Sequence, residues 1–152
     1  MIQAPKHNRM VIIVPCLNEE DILQYTHGEL YNLLLSLINE KSIHPDSNIC
    51  YIDDGSSDST WEIIKKLCLK NSNTTGIKLS RNFGHQNAII AGLESMVGSS
   101  DFAITIDADL QDDINKIPEM IQAYNNGSEI VFGIRSSRTQ DKFLKKITAG
   151  LF

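Results

Sequence analysis

Short, dense apolar runs alternate along the chain with longer stretches in which apolar residues recur every three or four positions, and polar clusters separate the two kinds. Dense runs at Met10–Cys16, Asn48–Asp53, 76–80, 102–106 and 129–134 read as strands, the first breaking near Pro15. After the first of them, Leu30, Leu33, Leu34, Leu37 and Ile38 recur at helical spacing. Further helices are expected over Thr60–Lys70, 86–96 and 115–126. Strands alternating with helices predict an α/β fold with a mainly parallel central sheet. Such sheets bind ligands beyond the carboxyl ends of their strands.

The polar chemistry lies at those ends. The run 102–106, expected to be a buried strand, leads directly into Asp107, Asp109, Gln111, Asp112 and Asp113. In extended chain Asp107, Asp109 and Gln111 share a face and can converge on one point, which suits a hard divalent cation such as magnesium or manganese. A solvated acidic loop is the alternative. Asp53 and Asp54 are adjacent acids at another strand end, where ligand hydrogen bonds or solvent must offset their repulsion; either could accept from a base N–H or a ribose hydroxyl. Gly55 permits a tight turn after them, and Ser56, Ser57, Asp58 and Ser59 offer caps to the next helix. Asn18, Glu19, Glu20 and Asp21 either cap the first helix or face a ligand. Arg81 and His85 stand near a helix start, where backbone N–H groups favour anions, so they read as a phosphate site or as solvated and capping residues. Arg135 and Arg138 follow the last predicted strand and either grip a diphosphate or are solvated.

Composition narrows the class. Hydrophobic residues at 41% and charged residues at 22% are ordinary globular values, and 152 residues suffice for one domain with a sizeable core. A net charge of -5, from 14 Lys and Arg against 19 Asp and Glu, argues against a nucleic-acid partner. Cys16, Cys50 and Cys68 are widely spaced within apolar patterns and read as core thiols in a reducing compartment. No signal peptide or transmembrane run is visible, so the chain as given is expected to be soluble and intracellular. In 141–152, Leu144, Ile147 and Leu151 share a helical face, Lys142, Lys145 and Lys146 lie off it, and Phe143 and Phe152 widen the apolar side. That pattern suits a last helix packed on the sheet or one lying on a membrane surface.

Taken in order, VPCLNEE, IDDGSSDST, SRNFGHQNAIIAGL, TIDADLQD and FGIRSSR resemble the blocks of the family 2 glycosyltransferases, and within them the polyprenyl-phosphate sugar transferases such as dolichol-phosphate mannose synthases and bactoprenol glucosyltransferases. The resemblance covers essentially the whole chain. It implies a GT-A fold, a Rossmann-like three-layer sandwich, over 1–140, with 141–152 starting an interfacial helix ahead of a membrane-anchoring region. It also implies a UDP- or GDP-sugar donor, a dolichyl or undecaprenyl phosphate acceptor, a magnesium or manganese cofactor and a place on the cytoplasmic side of the membrane, with oligomerisation left open. By this resemblance Pro15, Asn18 and Glu19 match the first nucleotide-binding block, and Asp53 and Asp54 match acids near the base and ribose. Asp107 and Asp109 match the metal motif, with Gln111 as an added contact. Arg135 matches an arginine facing the diphosphate or acceptor phosphate, and Arg81 and His85 match the block bordering the donor. Asp112, Asp113 and Ile114 stand where relatives often carry an acidic or His residue and then Pro-Pro, a departure that bears on acceptor access. Transfer to a sugar hydroxyl, a non-catalytic nucleotide-sugar-binding module and nucleotidyl transfer are the alternatives.

Overall fold

A computed structural model describes residues 8–134, which fall into two compact units, one running to Ile114 and the other starting at Asn115. In the first unit, β1 (Met10–Cys16), β2 (Asn48–Asp53), β3 (Thr74–Lys78) and β4 (Phe102–Thr105) form an all-parallel sheet in the order β3-β2-β1-β4. Helices α1 (Leu23–Asn39), α2 (Thr60–Lys70) and α3 (His85–Met96) make the crossovers.

β1 has a strand on each side and is buried along its whole length, as its unbroken apolar sequence requires. Pairing puts Val14, Tyr51 and Gly76 in one row, and hence on one face of the sheet. α2 lies over that face, since a Cβ at Gly76 would stand 2.5 Å from Ile64 Cγ2. α1 shares it: buried His27 meets the Tyr51 hydroxyl through Nδ1 at 3.1 Å and the Asn71 amide through Nε2 at 3.0 Å. α3 covers the opposite face, where a Cβ on Gly92 would approach Ile13 Cγ2 to 2.8 Å. The missing side chain lets this helix close directly on the sheet, over a core of Val11, Ile13, Cys50, Ile52 and Ala88. The result is a helix–sheet–helix sandwich.

Strand order determines where a ligand site can lie. The chain steps outward from β1 to β2 to β3, then α3 carries it back across the sheet to β4 on the far side of β1. That reversal opens a crevice beyond the carboxyl ends of β1 and β4. In the second unit, a 3-10 turn at Ile114–Lys116 enters it and α4 (Ile117–Asn125) follows, with Ile117 and Ile121 buried.

Several sequence-based expectations are corrected. β3 forms two residues earlier than 76–80, because its ladder tracks β2 from Ile49 paired with Thr74 to Asp53 paired with Lys78. Among the described residues β4 pairs only with β1, at the sheet edge, and it is not buried: Ala103 and Thr105 are exposed, and in 102–106 only Ile106, whose N–H donates to the Ile13 carbonyl, is buried. The segment 129–134 forms no strand; it has β propensity, but no strand pairing is present there and Ile130, Phe132 and Ile134 are exposed. Arg135, Arg138 and the segment 141–152 lie outside the described residues. Cys16, Cys50 and Cys68 are free thiols, the first two buried. Among the described residues no helix is long and apolar enough to cross a membrane.

Candidate active site

The loops after β1 and β2 are tied to one another residue for residue. Pro15 is buried within β1 opposite Ile52, and the chain then turns at Asn18, whose φ of 57° is left-handed. The Asn18 N–H donates to Ser56 Oγ (3.0 Å), and the Ser57 N–H donates back to Asn18 Oδ1 (2.8 Å). Glu19 N–H donates to Thr60 Oγ1 (2.8 Å), Glu20 N–H to Asp58 Oδ2 (3.1 Å), and Ser59 N–H to Glu20 Oε2 (2.8 Å). Sequence reading expected Asn18 to Asp21 to cap α1 or face a ligand, but α1 starts at Leu23 without a side-chain cap, and the Asn18 and Glu20 side chains bind the neighbouring loop. Among the residues offered as caps for α2, Asp58 reaches the Thr60 N–H at 2.9 Å, whereas Ser59 makes no capping bond.

Asp53 and Asp54 are both buried, yet they are used differently. Asp54 accepts from the Phe83 N–H (2.7 Å) and the Gly84 N–H (2.9 Å), so two backbone amides offset its charge. Asp53 Oδ1 accepts from the Ser56 N–H (3.1 Å), while Asp53 Oδ2 is buried with no partner in the protein. An orphaned carboxylate oxygen is costly unless something donates to it. Gly55 makes the turn possible: its φ is +75°, and a Cβ there would stand 2.4 Å from the Arg81 carbonyl carbon. Arg81 stacks its guanidinium 3.9 Å from the Phe83 ring centroid, and His85 opens α3.

At the end of β4, Ile106 and Ala108 are buried while Asp107 and Asp109 are exposed, so strand-like alternation puts both acids on the solvent side. The alternation stops at Leu110, with φ 51° and its N–H on the Asp107 carbonyl; Gln111 therefore follows a turn, and its N–H donates to Asp109 Oδ1 (3.1 Å). His85 Nε2 lies 3.5 Å from Asp107 Oδ1. Burial raises the Glu19 pKa above the usual glutamate value, and the charges of Asp109, Asp58 and Asp107 push it further. Burial likewise raises the Cys16 thiol, helped by Glu19 and Asp53. Acids at the ends of β1, β2 and β4 thus lie within electrostatic reach of Glu19 and Cys16.

Among the described residues no three His, Cys, Asp or Glu side chains are grouped so as to hold a metal ion by themselves. Asp107 and Asp109 fit a magnesium- or manganese-type ion as a partial donor set, because such ions commonly take one or two protein carboxylates and complete their shell with phosphates and water. Their hard oxygens match that class of cation, and a cation there would relieve the crowding of charge on Glu19.

Some supporting residues escaped sequence reasoning. The Thr26 hydroxyl, buried on α1, donates to the Ala108 carbonyl between the two acids, and Thr60 holds the Glu19 amide. The available signal for Thr26 was a hydroxyl at helical spacing from Leu23, Leu30, Leu34 and Leu37.

The family model described as Glycosyl transferase family 2 matches residues 11–149. A Bacillus subtilis (strain 168) protein named Uncharacterized glycosyltransferase YkoT is 47% identical over 92% of this chain and 42% of its own length. The Escherichia coli (strain K12) Prophage bactoprenol glucosyl transferase homolog is 35% identical over 95% of this chain and 44% of its own length. The chain therefore spans less than half the length of these relatives. The crystal structure of S. aureus TarS 1-349 superposes with a TM-score of 0.54 at 20% identity, covering 85% of this chain and 39% of that one, which shows the shared GT-A fold. With a family match running through both strand-end acid clusters, the chain belongs to glycosyl transferase family 2.

Proposed function

We propose that the protein transfers a sugar from a UDP- or GDP-sugar to a polyprenyl phosphate, with inversion at the anomeric carbon and with a magnesium or manganese ion as cofactor. The observation that carries this reading is the pair Asp107 and Asp109 on the solvent side of the β4 end, beside the strand-order reversal, in a chain of glycosyl transferase family 2. Asp53 lies at the end of β2 with an unsatisfied oxygen. The lipid acceptor is favoured by relatives whose names say bactoprenol glucosyl transferase.

Asp53 Oδ2 would accept from the base or ribose of the donor. Pro15, Asn18 and Glu19 shape the wall beside it, and Arg81 and His85 border the phosphates. Asp107 and Asp109, with Gln111, would hold the cation, which when bound neutralises charge developing on the departing nucleoside diphosphate. By the family resemblance alone, Arg135 would take the diphosphate or the acceptor phosphate. A phosphate monoester has a second pKa of about 6 and is already largely anionic at neutral pH, so this acceptor needs little help from a general base. The segment 141–152 would lie at the membrane surface, on the side where nucleotide sugars are made. If the acceptor were a sugar hydroxyl, Asp112 or Asp113 would be the first candidates to take its proton.

The test is to incubate the intact protein with a panel of UDP- and GDP-sugars and vesicles containing undecaprenyl or dolichyl phosphate. Glycolipid with one nucleoside diphosphate released per sugar is the expected result. Pyrophosphate release would indicate nucleotidyl transfer. Donor binding without turnover across the lipid panel would indicate a binding module. Neutralising Asp112 and Asp113 together should leave lipid-phosphate transfer partly intact.

A further inference from the structure

Asp53 and Asp54 are neighbours in sequence, and the fold gives them opposite tasks. The Asp54 N–H donates to the Cys16 carbonyl (2.8 Å), which fixes its backbone against the end of β1. Its carboxylate spans two successive amides, Oδ1 on the Phe83 N–H and Oδ2 on the Gly84 N–H. A buried carboxylate that accepts two backbone donors makes strong, directional bonds; Asp54 takes the Phe83 N–H and shares the Gly84 N–H with Asn82 Oδ1, which accepts from it at 2.8 Å. Asn87 Nδ2 holds the same segment from within α3, donating to the Phe83 carbonyl at 2.7 Å. On its other side, the bare Cα of Gly55 lets the segment approach closely. His85 follows immediately, with Asp107 Oδ1 3.5 Å from its Nε2.

We propose that Asp54 is a positioning residue: by holding the Phe83 and Gly84 amides it sets the start of α3, and with it Arg81 and His85, against Asp107, while Asp53 keeps an oxygen for the donor. This rests on the functional reading above in one respect, that Arg81, His85 and Asp107 border the transferred group. Asp54 itself touches no substrate. Its effect passes through the backbone of 81–84, so removing it should misplace groups without removing a ligand contact.

Asp54→Asn keeps the shape but replaces one acceptor oxygen with an amide that cannot accept. In the intact protein, hydrogen–deuterium exchange at Phe83 should speed up about tenfold, the equivalent of one weakened hydrogen bond, and at Gly84, which keeps its bond to Asn82 Oδ1, by less, with β2 amides unchanged. Sugar transfer should lose roughly 10- to 100-fold in kcat, as misplacement of bordering groups does, while UDP or GDP affinity stays within about threefold. Asp53→Asn should show the reverse split, weakening nucleotide affinity without altering exchange at Phe83 and Gly84. Asn87→Ala, an exposed change that loosens the same segment, should reproduce the Asp54→Asn pattern at smaller amplitude, which separates positioning from a folding defect. Nucleotide affinity lost as fully in Asp54→Asn as in Asp53→Asn, with exchange unchanged, overturns the proposal. Faster exchange with unaltered kcat overturns its catalytic half. Absence of transfer by the unaltered protein overturns the functional reading and that half with it, and the exchange measurement then decides the clamp alone.

Discussion

His85 Nε2 stands 3.5 Å from Asp107 Oδ1, so the first residue of α3 faces the first acid beyond β4 across the sandwich's ligand-facing edge. Both side chains are about half exposed, at 52% and 55%, and an exposed pair of this kind contributes little to stability. His85→Ala should therefore change unfolding free energy by less than about 0.5 kcal/mol while lowering sugar transfer by roughly tenfold or more. Urea denaturation and initial rates on the same preparation check both halves, and an unaltered rate would make His85 a surface residue.

Asp109→Ala should abolish metal-dependent nucleotide binding while the apo fold persists, since Asp109 is exposed and, among the described residues, its side chain accepts only from the Gln111 N–H. A nucleoside diphosphate at about 100 times its dissociation constant stabilises by roughly 2.7 kcal/mol, or about 5–11 °C in a domain of this size. Thermal denaturation with manganese and UDP or GDP should show that shift in the unaltered protein and not in the variant.

Thr26→Val keeps the shape of α1 but leaves the buried Ala108 carbonyl without its hydroxyl donor. Stability should fall by about 1–3 kcal/mol, the range for an unsatisfied buried group. Because Ala108 sits between Asp107 and Asp109, nucleotide affinity in manganese should weaken as well. Affinity unchanged at the same stability loss would limit Thr26 to a packing role.

His27 supplies the pH dependence. Burial lowers its pKa below the ordinary 6.5, so the unfolded chain binds the proton more readily than the folded one. Stability is then fully present above pH 6.5 and declines as pH falls below that value toward the lowered folded pKa. His27→Gln should flatten this slope while costing about 1–2 kcal/mol at neutral pH for the altered bonds to Tyr51 and Asn71. Denaturation midpoints across the range should show the slope in the unaltered protein only.

What could be read in the sequence were features that a segment decides alone. β1, β2 and α2 have the bounds expected from Met10–Cys16, Asn48–Asp53 and Thr60–Lys70, because an unbroken apolar run or a helical stripe ending in Gly, Ser and Asp clusters is a local signal. The misreadings were properties of pairs of segments. A strand exists only with a partner, which the run 129–134 lacks and which Thr74 and Thr75 acquire through β2. The engagement of Asp54 by the Phe83 and Gly84 amides was invisible in the sequence because those amides lie about thirty residues away in the chain. Glu20 looked like a helix cap for the same reason, its partner Ser59 being on another loop.

The reciprocal bonds between the loops after β1 and β2 bear on how this scaffold can be altered. Asn18 gives to Ser56 and receives from Ser57, and Glu20 gives to Asp58 and receives from Ser59. A loop grafted singly from a relative would arrive with half of each exchange and strand the other half on the host. The two loops therefore form one transplantable module, and sequence changes at this edge are best made in both together.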